Sequence, residues 1–131
     1  MQEKLIIQNF GGIKKAEIEI NEFNVFIGPQ ASGKSVVAKL LYYFKKLPFE
    51  ISKSLVGNNI DKEKLNHRLL AKFKKYFPIH TFPLGNFNIS YHTRFNYVTV
   101  TLSEGKLHIE YSDSLYASLT VANEYIKKRK D

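Results

Sequence analysis

Residues 24–44 read NVFIGPQASGKSVVAKLLYYF, and the middle of this stretch, Gly28, Pro29, Gln30, Ala31, Ser32, Gly33, Lys34 and Ser35, is a full match to G-x-x-x-x-G-K-[ST]. A loop that wraps a phosphate must turn its backbone N–H groups inward. That requires glycine where φ is positive or where the phosphate leaves no room for a side chain, and Gly28 and Gly33 fill those places. A helix opening at Lys34 aims its unpaired N–H groups and its dipole at the same phosphates. Lys34 can then reach the β and γ groups, and the Ser35 hydroxyl can ligate Mg²⁺. The pattern carries weight only between a strand and a helix. The apolar NVFI before it is too short for a helix and reads as a buried strand, while Val37, Leu40, Leu41 and Phe44 after it recur at helical spacing.

The helix is expected from Lys34 to about Leu47, with Pro48 as its stop and a loop from Phe49 to Ile60. Upstream, KLIIQN at 4–9 and AEIEI at 16–20 read as strands, with Gly11 and Gly12 supplying a turn between them. Downstream, Asp61 offers an N-cap to a second helix reaching Phe77. Its apolar stripe is Leu65, Leu69, Phe73, Tyr76 and Phe77, and Pro78 closes it. Residues 87–95, 97–102 and 106–111 are rich in aromatic and β-branched residues and read as an antiparallel meander at about 87–111. Ser112 and Asp113 then cap a last helix over about 114–130. The fold class is α/β: a mixed sheet carrying the loop, with the meander beside it.

The chain has 131 residues, enough for one module with one core and short for two. Hydrophobic residues at 44% and charged residues at 24% argue against a disordered chain. The longest apolar run, Leu40 to Phe44, falls far short of the roughly twenty residues of a membrane span. Met1 to Lys4 leads into no signal-peptide core, so a cytoplasmic protein off the membrane is expected. There is no cysteine, which removes disulfides, thiolate metal sites and a cysteine nucleophile. The net charge of +8 draws a protein toward phosphates, although Lys72, Lys74, Lys75 and the run at 127–130 also suit a solvated helix face.

Other patterns compete with simpler readings. Glu17 and Glu19 resemble a carboxylate pair but suit the solvent side of a strand. His67, His80, His92 and His108 share no metal-ligand spacing. LSEGK at 102–106 superficially resembles a signature loop, yet its place between two expected strands argues for a hairpin turn. Tyr91, Phe95 and Tyr97 around Arg94 could stack on bases, though a meander core also accounts for them. Hydrolysis would need a metal-holding carboxylate at the end of a second buried strand and a group that positions water. No run of four apolar residues ends in Asp or Glu.

The stretch LIIQNFGGIKKAEIEINEFNVFIGPQASGKSVVAKLLYYF, residues 5–44, resembles the N-terminal lobe of ABC-type ATPases of the SMC and RecF class, especially bacterial AAA-domain ATPases that include OLD-family nucleases and anti-phage defence proteins. The resemblance implies an ABC-like P-loop lobe that takes ATP with Mg²⁺. It also implies that two such lobes sandwich nucleotide in a homodimer of the full-length protein, coupled to DNA or to a defence effector. The implied nucleotide-binding residues are Gly28 to Ser35 with the adjoining Val36, the implied metal ligand is Ser35, and the Asn9 to Lys15 segment lies where such proteins approach the adenosine. The helical lobe, signature motif, catalytic glutamate and switch histidine of that class do not appear before residue 131. The expectation is therefore an incomplete first lobe that binds ATP without hydrolysing it alone. The alternative is a short module that senses nucleotide, or docks on nucleic acid or a partner, without turnover.

Overall fold

A computed structural model describes residues 3–20, 31–55, 61–78 and 85–117, with side chains from Ser35 onward in the second segment. The elements run β1 (Glu3–Phe10), β2 (Ile13–Ile20), α1 (Ala31–Leu55), α2 (Lys62–Tyr76), β3 (Phe87–His92), β4 (Tyr97–Ser103) and β5 (Lys106–Tyr111). The strands form one sheet in the order β2-β1-β3-β4-β5.

Period-two alternation gives this sheet one apolar face. Leu5 and Ile7 of β1, Ile89 and Tyr91 of β3, Val98 and Val100 of β4, and Ile109 and Tyr111 of β5 are all buried on the helix side. Opposite them Glu17, Glu19, Asn88 and Glu110 face solvent. Asn9, at φ 57°, breaks the alternation of β1, so Phe10 rather than Asn9 enters the core. Phe10 sits at its centre, with ring centroids 5.8 Å from Phe73, 5.1 Å from Phe77 and 4.7 Å from Phe87. Every described strand pairing is antiparallel, so the expected mixed sheet is an antiparallel one among the described residues. The strand expected at 24–27 lies outside them.

The helices correct one expectation and meet another. α1 does not stop at Leu47: it begins at Ala31 and continues through Pro48 to Leu55, across half of the expected loop. A proline inside a helix costs about 3 kcal/mol. Leu47 and Ile51, both essentially inaccessible, each gain about 1.5–3 kcal/mol from burial on either side of it, so packing outweighs the local penalty. α2 follows its expected stripe, with Leu65, Leu69 and Phe73 buried. The Asp61 carboxylate accepts the Lys64 N–H at 2.8 Å as its N-cap.

Two tyrosines fasten the layers. The Tyr43 hydroxyl donates to the Leu69 carbonyl at 2.8 Å, joining α1 to α2, and burial pushes this phenol far above its ordinary pKa. The Tyr111 hydroxyl donates to Asn66 Oδ1 at 2.7 Å, joining β5 to α2, and burial raises its pKa to about 12. The meander is present as β3, β4 and β5, with β3 ending at His92 rather than Phe95. After β5, residues 113–117 are helical, and the remainder of the expected last helix lies outside the described residues.

Candidate functional site

The motif divides across the boundary of the described residues. Gly28, Pro29 and Gln30 lie outside them, while Ala31, Ser32, Gly33 and Lys34 form the opening of α1, three residues before the expected start. The first helical turn therefore carries the last half of the motif, where backbone N–H groups have no partner within the helix. That turn contains no acidic residue, so nothing on α1 itself neutralises the positive end of its dipole. Ser35 follows, exposed, and Val36 is half-buried.

Val36 is where the rest of the fold meets this end. The turn between β1 and β2 is the two-residue Gly11–Gly12, closed by the Phe10–Ile13 pair, with φ 61° and 82° at the two glycines. A Cβ on Gly11 would lie 2.8 Å from both γ carbons of Val36. The hairpin tip thus rests directly on the residue after Ser35, and only glycine permits both the backbone angle and the approach. The Asn9 to Lys15 segment is placed beside the opening of α1 by this contact.

A third stretch of chain joins them. Asn9 Nδ2 donates to the Asn86 carbonyl at 2.8 Å, so the segment entering β3 is tied to the same hairpin tip. Sequence reasoning missed Gly85 and Asn86, which read only as a loop. Their Gly-Asn pairing marks a turn, but nothing local shows that it closes on a residue 77 positions earlier.

The one carboxylate on α1, Glu50, is far from its opening. From Ser35 to Glu50 the helix rises about 22 Å. Glu104 occupies the turn between β4 and β5, Glu110 is exposed on β5, and Asp113 reaches Lys62 at 3.9 Å. Glu17 holds Lys4 at 2.8 Å on the solvent face of the sheet. This hydrogen bond and the opposite charge lower the Glu17 pKa and raise that of Lys4. His67 and His108 line one cleft between α2 and β5, His92 Nε2 lies 3.2 Å from Ser90 Oγ, and His80 is outside the described residues. Among the described residues no three His, Asp or Glu gather where they could hold a metal.

Ser103 pairs with Lys106 around Glu104 and Gly105, so the LSEGK segment is a hairpin turn. The aromatic group around Arg94 separates: Tyr91 belongs to the core, whereas Phe95 is 75% exposed and Tyr97 42%. A meander core accounts for Tyr91 alone. Among the described residues no helix is long and apolar enough to cross a membrane.

A family model described as the AAA ATPase domain matches residues 1–130. No curated protein and no solved structure matches the chain significantly. The family match takes in the phosphate-loop motif, the opening of α1 and the hairpin and loop that meet it, and on that match the chain belongs to the AAA ATPase domain family of nucleotide-binding ATPases.

Proposed function

We propose that this chain is the ATP-binding lobe of an ABC-like ATPase of the SMC and RecF class, coupled in the full-length protein to DNA or to a defence effector. Gly28 to Ser35, with Val36, are the nucleotide-binding residues of this reading, and the Asn9 to Lys15 hairpin is the segment facing the adenosine. The observation that carries it is the seating of Gly11 on Val36, which sets a polar hairpin tip at the opening of a helix whose first turn bears no carboxylate. The residues fit a bound triphosphate with Mg²⁺. Backbone N–H groups of the first turn would hold phosphate, Lys34 would balance its charge, and the Ser35 hydroxyl would ligate the metal, which supplies charge neutralisation at the phosphoryl group. In this reading the nucleotide also bridges two copies of the lobe.

The reading is tested by calorimetry with ATP and Mg²⁺. Lys34→Ala should abolish binding, and Ser35→Ala should remove mainly its Mg²⁺-dependent part. Equal ATP affinity in wild type and Lys34→Ala would place the nucleotide elsewhere. A second reading, a nucleotide-sensing module without turnover, is favoured by the distance of Glu50, the one carboxylate of α1, from the opening of that helix.

A further inference from the structure

Between the C-terminal half of α1 and α2 runs a cleft of about 480 Å³, lined by Glu50, Lys53 and Ser54 on one side and by Arg68, Lys72 and Lys75 on the other. The described lining thus holds four cations and one carboxylate. Among the described residues the ion pairs are Lys4 with Glu17, Lys45 with Glu3, and Lys62 with Asp113, so none of the four has a carboxylate partner.

Aromatic rings share with Lys53 the outer stripe of α1 that leads to this cleft. Tyr42, Lys46, Phe49 and Lys53 follow one another at spacings of four, three and four, a single outward stripe of α1. Tyr42 is 51% exposed and Phe49 62%, in a protein whose other large apolar side chains are mostly buried. The Tyr42 ring meets Tyr76 of α2 edge-on at 5.6 Å, and Lys46 Nζ lies 5.3 Å from the Tyr42 centroid.

We propose that this cleft binds single-stranded nucleic acid, with Lys53, Arg68, Lys72 and Lys75 on its phosphates and Phe49 and Tyr42 stacking on its bases. Cations without partners gain free energy by displacing the counterions of a polyanion, and every base offers a face to an exposed ring. A furrow between helices that pack about 8–10 Å apart takes one chain of phosphates, whereas the strands of a duplex would ride on its rims. The proposal rests on the nucleic-acid-coupled part of the reading above and uses no residue of the phosphate loop.

The test is fluorescence anisotropy of the full chain with a labelled single-stranded oligonucleotide of about 15 nucleotides and mixed sequence, over a range of salt. Lys53→Gln with Lys72→Gln should weaken binding at least about tenfold and flatten the log–log salt slope by about 1.4, roughly 0.7 for each phosphate that is no longer neutralised. Lys74→Gln with Lys106→Gln removes as much charge outside the cleft and should change little. Phe49→Ser should weaken binding about tenfold with the slope unchanged. Lys53→Arg with Lys72→Arg keeps the charge and should keep the binding, which separates loss of charge from loss of folding. Equal losses in the two glutamine pairs would assign the binding to the general charge of +8 and overturn the proposal. So would tighter binding of the matching duplex, or no binding by the wild type. Lys34→Ala should bind the oligonucleotide normally and the Lys53/Lys72 variant should bind ATP normally, so this proposal and the nucleotide reading fail separately.

Discussion

Gly11 and Gly12 share a turn and a left-handed backbone but differ in what surrounds them. A Cβ at Gly11 meets Val36 at 2.8 Å, while at Gly12 it meets nothing within 4 Å. Alanine at either site carries the left-handed cost of about 1–2 kcal/mol. At Gly11 it must also push the hairpin away from α1. Gly11→Ala should therefore destabilise by about 1 kcal/mol more than Gly12→Ala in chemical denaturation and should weaken ATP binding more. Equal effects in both assays would show that the contact with Val36 matters to neither. Glu104 presents the opposite case, a residue with a Cβ held at φ 53° in an exposed turn next to Gly105. Asparagine tolerates that conformation and is favoured at the first position of such a turn. Glu104→Asn should raise stability by up to about 1 kcal/mol, visible as a higher melting temperature.

At the scale of elements, legibility follows how local the deciding interaction is. α2 is readable because its cap, Asp61, and its stripe, Leu65, Leu69 and Phe73, lie within the element itself. The β4–β5 turn is readable for the same reason. α1 misleads at Pro48, since local chemistry argues for a stop and only the burial of Leu47 and Ile51 in the core argues against it. Pro48→Ala should then raise helical content by circular dichroism and raise stability by about 1–3 kcal/mol, because packing retains Leu47 and Ile51 while the missing N–H returns. A loss of helix on that substitution would mean that the proline itself supports the packing of this turn. The phosphate-loop motif is legible because its residues are consecutive. Ser112 holds the expected cap position, its carbonyl accepting the Leu115 N–H at 3.1 Å, but its hydroxyl donates to Asn96 Oδ1 at 3.0 Å and accepts the Tyr97 N–H at 3.3 Å, bracing the β3–β4 loop. Like the bond from Asn9 to Asn86, that partner is distant in sequence and leaves no periodic trace.

Over the molecule as a whole, the one carboxylate of α1, Glu50, stands about 22 Å along the helix from Ser35, at the far end from the positive pole. Phosphoryl transfer to water depends on positioning and charge stabilisation, in which one arginine finger alone is worth about 10³–10⁵ in rate. In a single-turnover assay with Mg²⁺ and excess protein, the isolated chain should hydrolyse ATP no faster than a Lys34→Ala control. A robust rate that depends on Lys34 would identify a catalytic acid in the chain and make it a complete enzyme. The length of α1 has a further consequence. Its 25 residues span about 37 Å, and they link the opening that carries the last half of the phosphate-loop motif to the cationic furrow through one continuous helix. A tilt of about 5° at Ala31 sweeps Leu55 through about 3 Å, as much as the width of a hydrogen bond. α1 is in that sense a lever arm, and Pro48, which lacks the N–H for one helical bond, lies on it between the opening and Lys53.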